Sequence, residues 1–203
     1  MAKKKLQRFA ENKTFPHFFQ IPYHDLINGF KLKGRWRNEY FKNQNPIVLE
    51  LGCGKGEFTV GLAARYPEKN FIGMDIKGAR MWRGAKTAYE KQLPNVAFIR
   101  TRIELIEMFF DKNEVDEIWI TFPDPHPNKP RIKKRLTSPV FIDRYKKIAR
   151  PGAIIHLKTD NTMLFEYTLE VIEELNLHLL FHTFDVDTVA GSREVSEIRT
   201  YYE

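Results

Sequence analysis

A doubly wound α/β domain on a mostly parallel sheet, preceded by an N-terminal extension, is the fold class this chain predicts. Three observations predict it. From about residue 46, short β-branched or apolar runs alternate with stretches of helical periodicity; the first alternation turns on glycines at 52, 54 and 56; and residues 1–45, rich in basic and aromatic side chains, lack the alternation. Strands that alternate with helices are joined by crossovers, and crossovers cover a parallel sheet on both faces. The chain therefore divides into an extension over 1–45 and one domain over 46–203.

The elements follow in order. Pro46 to Leu51 reads as a strand, and the helix from Glu57 to Tyr66 places apolar residues at 58, 62 and 66 before Pro67 stops it. Asn70 to Ile76 is the second strand, 79–92 a helix ended by Pro94, Val96 to Ile99 the third strand, with a helix near 103–110. Residues 117–122 make the fourth strand. Ser138 is placed to cap a helix with Pro139 at its first position; Phe141, Tyr145 and Ile148 form one face, and Pro151-Gly152 ends it. Ala153 to Lys158 is the fifth strand, Asp160 or Asn161 caps a helix whose Leu164, Thr168, Val171 and Leu175 share a side, and His178 to Phe184 reads as a sixth strand.

At 203 residues the chain suits one core, able to bury roughly 70% of its unfolded surface without staples. No apolar run approaches the ~18 residues of a membrane span. The start, MAKKKLQRFAENK, is basic but lacks the apolar segment of a secretory signal, and the single cysteine, Cys53, excludes an internal disulfide and a multi-cysteine zinc site. A cytoplasmic protein is expected. The six histidines show no metal-ligand spacing.

Thirty-three Lys and Arg against 26 Asp and Glu give a formal charge of +7. The charge is clustered in Lys3-Lys4-Lys5, in Lys31, Lys33, Arg35 and Arg37 around Trp36, and in residues 129–135. Each cluster by itself is an ordinary solvated face; three of them beside aromatics of exposed type favour a nucleic acid partner.

The third cluster ends the stretch TFPDPHPNKPRIKKR, residues 121–135. Prolines at 123, 125, 127 and 130 fix φ and remove backbone donors, so a stiff extended loop is expected after the fourth strand. The glycine loop after the first strand reads Glu50-Leu-Gly-Cys-Gly-Lys-Gly-Glu57. Glycines there allow tight turning and close approach of a ligand to the backbone. A dinucleotide fingerprint requires glycine where Glu57 stands, and a carboxylate at that helix start opposes a pyrophosphate. A cofactor with a cation and no phosphates fits better, and S-adenosylmethionine is one. Asp75, closing the second strand, is placed to accept from both ribose hydroxyls, and Glu50 to meet the cationic amino-acid end directly or through water.

Glu50 to Phe58, Asp75, and Phe122-Pro-Asp-Pro125 with its basic run together resemble the bacterial tRNA (guanine-N7)-methyltransferases. The resemblance runs from about Trp36 through Arg135-Leu-Thr-Ser-Pro-Val-Phe141, His156-Leu-Lys-Thr-Asp160 and Ile198-Arg-Thr-Tyr-Tyr-Glu203. It implies a Rossmann-like class I fold and methyl transfer from S-adenosylmethionine to a variable-loop guanosine of tRNA. It also implies cofactor contacts at Glu50, Gly52, Gly54, Asp75 and Asp124, and guanosine contacts at Asn128, Asp160, Thr200 and Glu203. Two positions depart from the family pattern: Arg102 stands where Asn or Asp is common, and His126-Pro127-Asn128 where Trp-x-Lys is often found. Family members usually continue past the last motif through a helix and an antiparallel strand; this chain stops at Glu203.

Guanine N7 carries a lone pair and no proton, so attack on a sulfonium methyl needs alignment and no general base. The product base is cationic, and a carboxylate beside it stabilises the charge that develops. Asp124, held between Pro123 and Pro125, is the expected catalytic group. Lys129, Arg131, Lys133, Lys134 and Arg135 are expected on tRNA phosphates, with salt-dependent binding. Asp160 has two readings, as a helix cap and as an acceptor for guanine N1–H and N2–H₂. Other acceptors (another RNA, a protein, a small molecule) and a catalytically weak RNA-binding module are the competing functions; a nicotinamide oxidoreductase is disfavoured by Glu57.

Overall fold

The computed structural model describes residues 2–185. Among the described residues, six strands form a single sheet in the order β1-β4-β3-β2-β5-β6, with every neighbouring pair parallel. They are β1 (Phe18–Phe19), β2 (Ile47–Leu51), β3 (Asn70–Asp75), β4 (Val96–Arg100), β5 (Val115–Thr121) and β6 (Ala149–Lys158). The helices are α1 (Ala2–Asn12), α2 (Tyr23–Leu26), α3 (Glu57–Arg65), α4 (Gly78–Glu90), α5 (Pro139–Ile148) and α6 (Thr162–Glu174). The order β4-β3-β2 runs one way from β2, while β5 and β6 lie on its other side. The switch point is therefore between β2 and β5, where open α/β sheets bind ligands at the strand carboxyl ends.

Alternation along the strands divides the core. Leu49, Leu51, Ile72, Met74, Ile118 and Ile120 face one side, packed with Phe109, Phe141 and Tyr145. Val48, Phe71, Val96, Phe98 and Trp119 face the other, against Phe58 and Leu62 of α3 and Met81 and Ala85 of α4. Burying a large apolar side chain contributes about 2 kcal/mol. These two layers therefore hold the strand ends, and the loops on them, in register.

The N-terminal segment contributes to both layers. β1 pairs with β4 through Phe18↔Phe98 and Phe19↔Ile99. α1 lies across the start of α4, where Asn12 donates to the Gly78 carbonyl at 2.8 Å and the Trp82 indole donates to Glu11 at 2.8 Å. Trp36, expected among exposed aromatics, is fully buried, and its indole N–H donates to the Phe109 carbonyl at 3.0 Å. Buried Glu114 collects the backbone N–H groups of Gly34, Trp36 and Asp111. The second basic cluster thus surrounds a core anchor.

Three local expectations need correction, and the cap of α6, expected at Asp160 or Asn161, is decided between the two. The basic run 129–134 is not extended but coils into a 3₁₀ turn, with Pro130 in its first positions, where the missing N–H costs nothing. Pro151-Gly152 does not separate α5 from β6; it lies inside β6, opposite a register shift at Val115/Glu117 that absorbs the irregular residues. The cap of α6 is Asn161, whose side chain accepts from the Leu164 N–H at 2.9 Å, and Asp160 is exposed beside it. Residues 178–184 form no strand: the Phe184 and His182 rings pack at a tilt against Phe165 of α6, with centroids at 4.7 and 6.3 Å, and no described residue pairs with the segment. Among the described residues, no helix is long and apolar enough to cross a membrane.

Candidate active site

Parallel pairing brings the carboxyl ends of β3, β2 and β5, and hence the segments carrying Asp75, the glycine loop and Asp124, to one edge of the sheet. Gly52, Gly54 and Gly56 all have positive φ, at 74°, 55° and 73°. L side chains avoid that region, so the turn from β2 into α3 needs glycine at these three positions. At Gly52 an added Cβ would meet nothing nearer than Leu136 Cδ1 at 3.9 Å, which leaves that face open to a ligand. At Gly56 it would stand 2.6 Å from the Phe98 ring, so this glycine serves packing. Gly84 of α4 had no signal in the sequence, yet its missing Cβ lets the helix lie against the Lys55 carbonyl, 2.6 Å from where that atom would be.

Asp75 is half-buried and holds the loop: Oδ2 accepts from the Gly54 N–H at 2.9 Å and Oδ1 from the Lys77 N–H at 2.8 Å. Each oxygen keeps a second lone pair for a ligand hydroxyl. Ile76, beside it, is exposed at this edge and is an apolar surface that sequence reasoning passed over.

Glu50 is placed differently from the expectation. Only 4% exposed, its carboxylate points into the interface with α3: Oε2 accepts from the Thr59 N–H at 2.9 Å and from the Thr59 hydroxyl, and Oε1 from the Thr121 hydroxyl at 2.8 Å. Gly73, its register partner on β3, makes room for Thr59, whose hydroxyl would lie 2.8 Å from a Cβ there. Burial pushes the Glu50 carboxyl up to about 7, against the three hydrogen bonds that lower it, with the nearby Asp75 charge adding to the rise. Among the described residues no cation lies beside this acid, and a positively charged guest on the glycine loop above it would favour its ionised form. Burial also pushes the Cys53 thiol well up, so this side chain fills the loop and is not a nucleophile.

Asp124 is the opposite case. Its side chain is 74% exposed, on a loop bracketed by two non-glycine residues at positive φ, Phe122 at 45° and His126 at 43°. Its Oδ1 accepts from the His126 N–H at 3.2 Å, which folds the loop back on itself and leaves the second oxygen outward. Asn128, Lys129, Arg131, Lys133 and Lys134 are exposed beyond it. Arg135 is a correction: expected on phosphates, it is 4% exposed and donates inward to the Pro125 carbonyl at 3.0 Å and the His126 carbonyl at 3.2 Å. A buried guanidinium already on two carbonyls does not reach a phosphate. Arg102 is exposed just past β4. Thr200 and Glu203 lie outside the described residues.

The donor set fits S-adenosylmethionine better than a phosphate cofactor. Open glycine backbone at Gly52, a carboxylate at the end of β3 and a buried acid below suit ribose hydroxyls and a cation, while among the described residues no basic side chain sits in the loop's first turn except Lys55.

Comparison with known proteins gives a consistent picture. A methyltransferase family model, Methyltransf_4, matches residues 44–203. A tRNA (guanine-N(7)-)-methyltransferase of Christiangramia forsetii is 52% identical over 204 residues, spanning 100% of this chain and 91% of that protein. Proteins with the same name from Bacteroides fragilis and Porphyromonas gingivalis are 50% and 52% identical, spanning 100% and 94% of this chain and 80% and 79% of their own. Among solved structures, an antibiotic-related methyltransferase superposes with a TM-score of 0.62 at 17% identity, covering 85% of this chain and 86% of its own. The 16S rRNA methyltransferase KamB gives 0.59 at 17% identity, covering 91% and 86%. At such identities the superpositions establish the class I methyltransferase fold and nothing finer.

Proposed function

The chain belongs to the tRNA (guanine-N(7)-)-methyltransferase family, and from that premise we propose how its sheet edge transfers a methyl group from S-adenosylmethionine to N7 of a guanosine in tRNA. Bound S-adenosylmethionine supplies the methyl group on a sulfonium, and guanine N7 supplies the lone pair. The protein's residues therefore align and stabilise; they need not remove a proton from N7. Gly52 presents open backbone to the cofactor, Gly54 shapes the turn through its N–H on Asp75, Asp75 accepts from the ribose, and Glu50, held by Thr59 and Thr121, supports the loop from beneath and becomes its counter-charge once the cationic end is bound.

The observation that carries the reading is Asp124: an outward carboxylate on a short, proline-stiffened loop, one strand away from the glycine loop. As the methyl leaves the sulfonium, positive charge moves onto the guanine, and a carboxylate already aimed at that point stabilises it without reorganising. Asn128 and Asp160, together with Thr200 and Glu203, take the guanosine. Asp160 supports that role by being exposed while Asn161 caps the helix. Lys129, Arg131, Lys133 and Lys134 form the phosphate rim, and the acceptor is the variable-loop guanosine of a cytoplasmic tRNA.

The test is direct. Incubation with labelled S-adenosylmethionine and bulk tRNA lacking the modification is expected to put label on tRNA and create aniline-sensitive cleavage at a variable-loop guanosine. Label on another base or on protein would reassign the acceptor. Intact tRNA affinity without transfer would make the protein an RNA-binding module.

A further inference from the structure

We propose that Arg135 is a positioning residue for methyl transfer, clamping the loop that aims Asp124; the proposal rests on the reading of Asp124 given above. The loop presents an unusual anchoring problem. Prolines at 123, 125 and 127 remove every second backbone donor around Asp124, so the handles left at Pro125 are carbonyl oxygens. A guanidinium holds two successive carbonyls from one point with N–H groups in a fixed planar fork, whereas an ammonium has the donors but not the fixed geometry. Arg135 does this: Nε donates to the Pro125 carbonyl at 3.0 Å and Nη2 to the His126 carbonyl at 3.2 Å, one and two residues past Asp124.

The guanidinium is itself fixed from the other side. It lies over the Tyr167 ring at 4.2 Å and against the Met163 sulfur at 3.0 Å, both on α6. These partners are neutral, so among the described residues the arginine is held by carbonyls, a thioether and a π face rather than by a carboxylate. On the near side of Asp124, the Phe122 N–H donates to the Lys158 carbonyl at 2.8 Å, and Lys158 Nζ lies 5.3 Å from the Phe122 ring. Asp124 thus sits between two anchors, each next to a positive-φ residue that L side chains avoid, and that geometry persists only when its surroundings impose it. Both anchors run to one stretch, 158–167, which includes Asp160. The acid facing the transferred methyl and the acid offered to the base are thereby tied into one rigid unit, and Arg135 is the tie from the basic side of the loop.

The experiment uses the full chain, S-adenosylmethionine and unmodified tRNA, with Arg135→Ala, Arg135→Lys, Asp124→Ala and the double variant Asp124→Ala/Arg135→Ala. The expected result is a kcat about 100-fold lower in Arg135→Ala, with tRNA Kd within about threefold and an unchanged salt dependence of that Kd. Arg135→Lys keeps charge and stem but not the fork, so it recovers little of the loss, whereas guanidinium ion added at sub-denaturing concentration to Arg135→Ala recovers part of it. Because Arg135 acts through Asp124, the double variant is no slower than Asp124→Ala alone. Should Arg135→Ala fail to fold, Arg135→Lys gives the same split between kcat and Kd. A weakened Kd whose salt slope falls by about one would return Arg135 to the phosphate contacts and overturn the proposal, as would a double variant slower by the full Arg135→Ala factor. Wild-type kcat in Arg135→Ala with a slow Asp124→Ala defeats this proposal alone; wild-type kcat in Asp124→Ala defeats the reading of Asp124 beneath it.

Discussion

Two neighbouring parallel strands, β2 and β5, each deliver an acid and a loop to the same edge, and they use them in opposite ways. At β2 the loop is glycine and the acid is buried: Glu50 spends its oxygens on Thr59 and Thr121 and shapes the loop from below. At β5 the loop is proline and the acid is outward: Asp124 has one oxygen on its own loop and the other toward solvent. Glycine permits a conformation in which a ligand lies on the backbone, and the structural work falls to the side chain beneath it. Proline removes backbone options, and a distant arginine must supply the hold. A carboxylate already satisfied inside the fold builds a site; one left unsatisfied on a rigid support is available to act on the substrate.

The largest expected effect tests the outward acid. Asp124→Ala should lower kcat by about 10²–10³-fold while tRNA Kd stays within about threefold, measured by single-turnover transfer and filter binding. Equal losses in both would erase the contrast with the phosphate rim. The buried acid is tested through pH. The native state keeps a proton on Glu50 up to about 7, while the unfolded chain releases it near 4.5. Glu50's contribution is therefore fully present below pH 4.5, is lost as pH rises through 7, and is flat above, a decline of at most about 3 kcal/mol. Glu50→Gln should flatten that part of the stability curve between pH 5 and 8 in urea unfolding. An unchanged slope would mean the carboxylate is not isolated as described.

A smaller effect sharpens the β2 side. Gly73→Ala puts a Cβ 2.8 Å from the Thr59 hydroxyl and 2.9 Å from Phe98. It should destabilise the protein by about 1–3 kcal/mol, seen as a lower urea midpoint at constant slope, and a neutral result would show that Thr59 can move without cost. The smallest effect tests the rim. Lys133→Ala with Lys134→Ala should weaken tRNA binding about tenfold and reduce its log–log salt slope by about 1.5, leaving kcat nearly unchanged; a fall in kcat instead would place these lysines in the aiming of the loop.

Much of this was legible along the chain because local rules govern it. Strand runs, the glycines at 52, 54 and 56 and the prolines from 123 to 130 each act within a few residues, so the α/β alternation and both site loops could be read from short windows. Boundaries moved where a long-range partner won. β6 begins at Ala149, before Pro151-Gly152, because β5 offers a ladder that tolerates a shift. The two-residue β1 carries no periodicity and exists because β4 has a free edge. Residues 178–184 are apolar enough for a strand, but Phe165 captures His182 and Phe184 instead.

By itself, the sequence determined the layered fold, the edge at which chemistry is placed and the residue types brought there, since periodicity and φ restrictions are properties of the chain. Only the tertiary structure decided which charged groups face inward. Glu50 and Arg135 look alike in sequence to acids and bases that meet ligands, yet both are consumed by partners brought from elsewhere: Thr121 lies 71 residues from Glu50 and Tyr167 on α6 lies beyond β6 from Arg135. The cost of burying a charge is met only by the particular donors or acceptors that folding carries to it, and no local pattern records which those are.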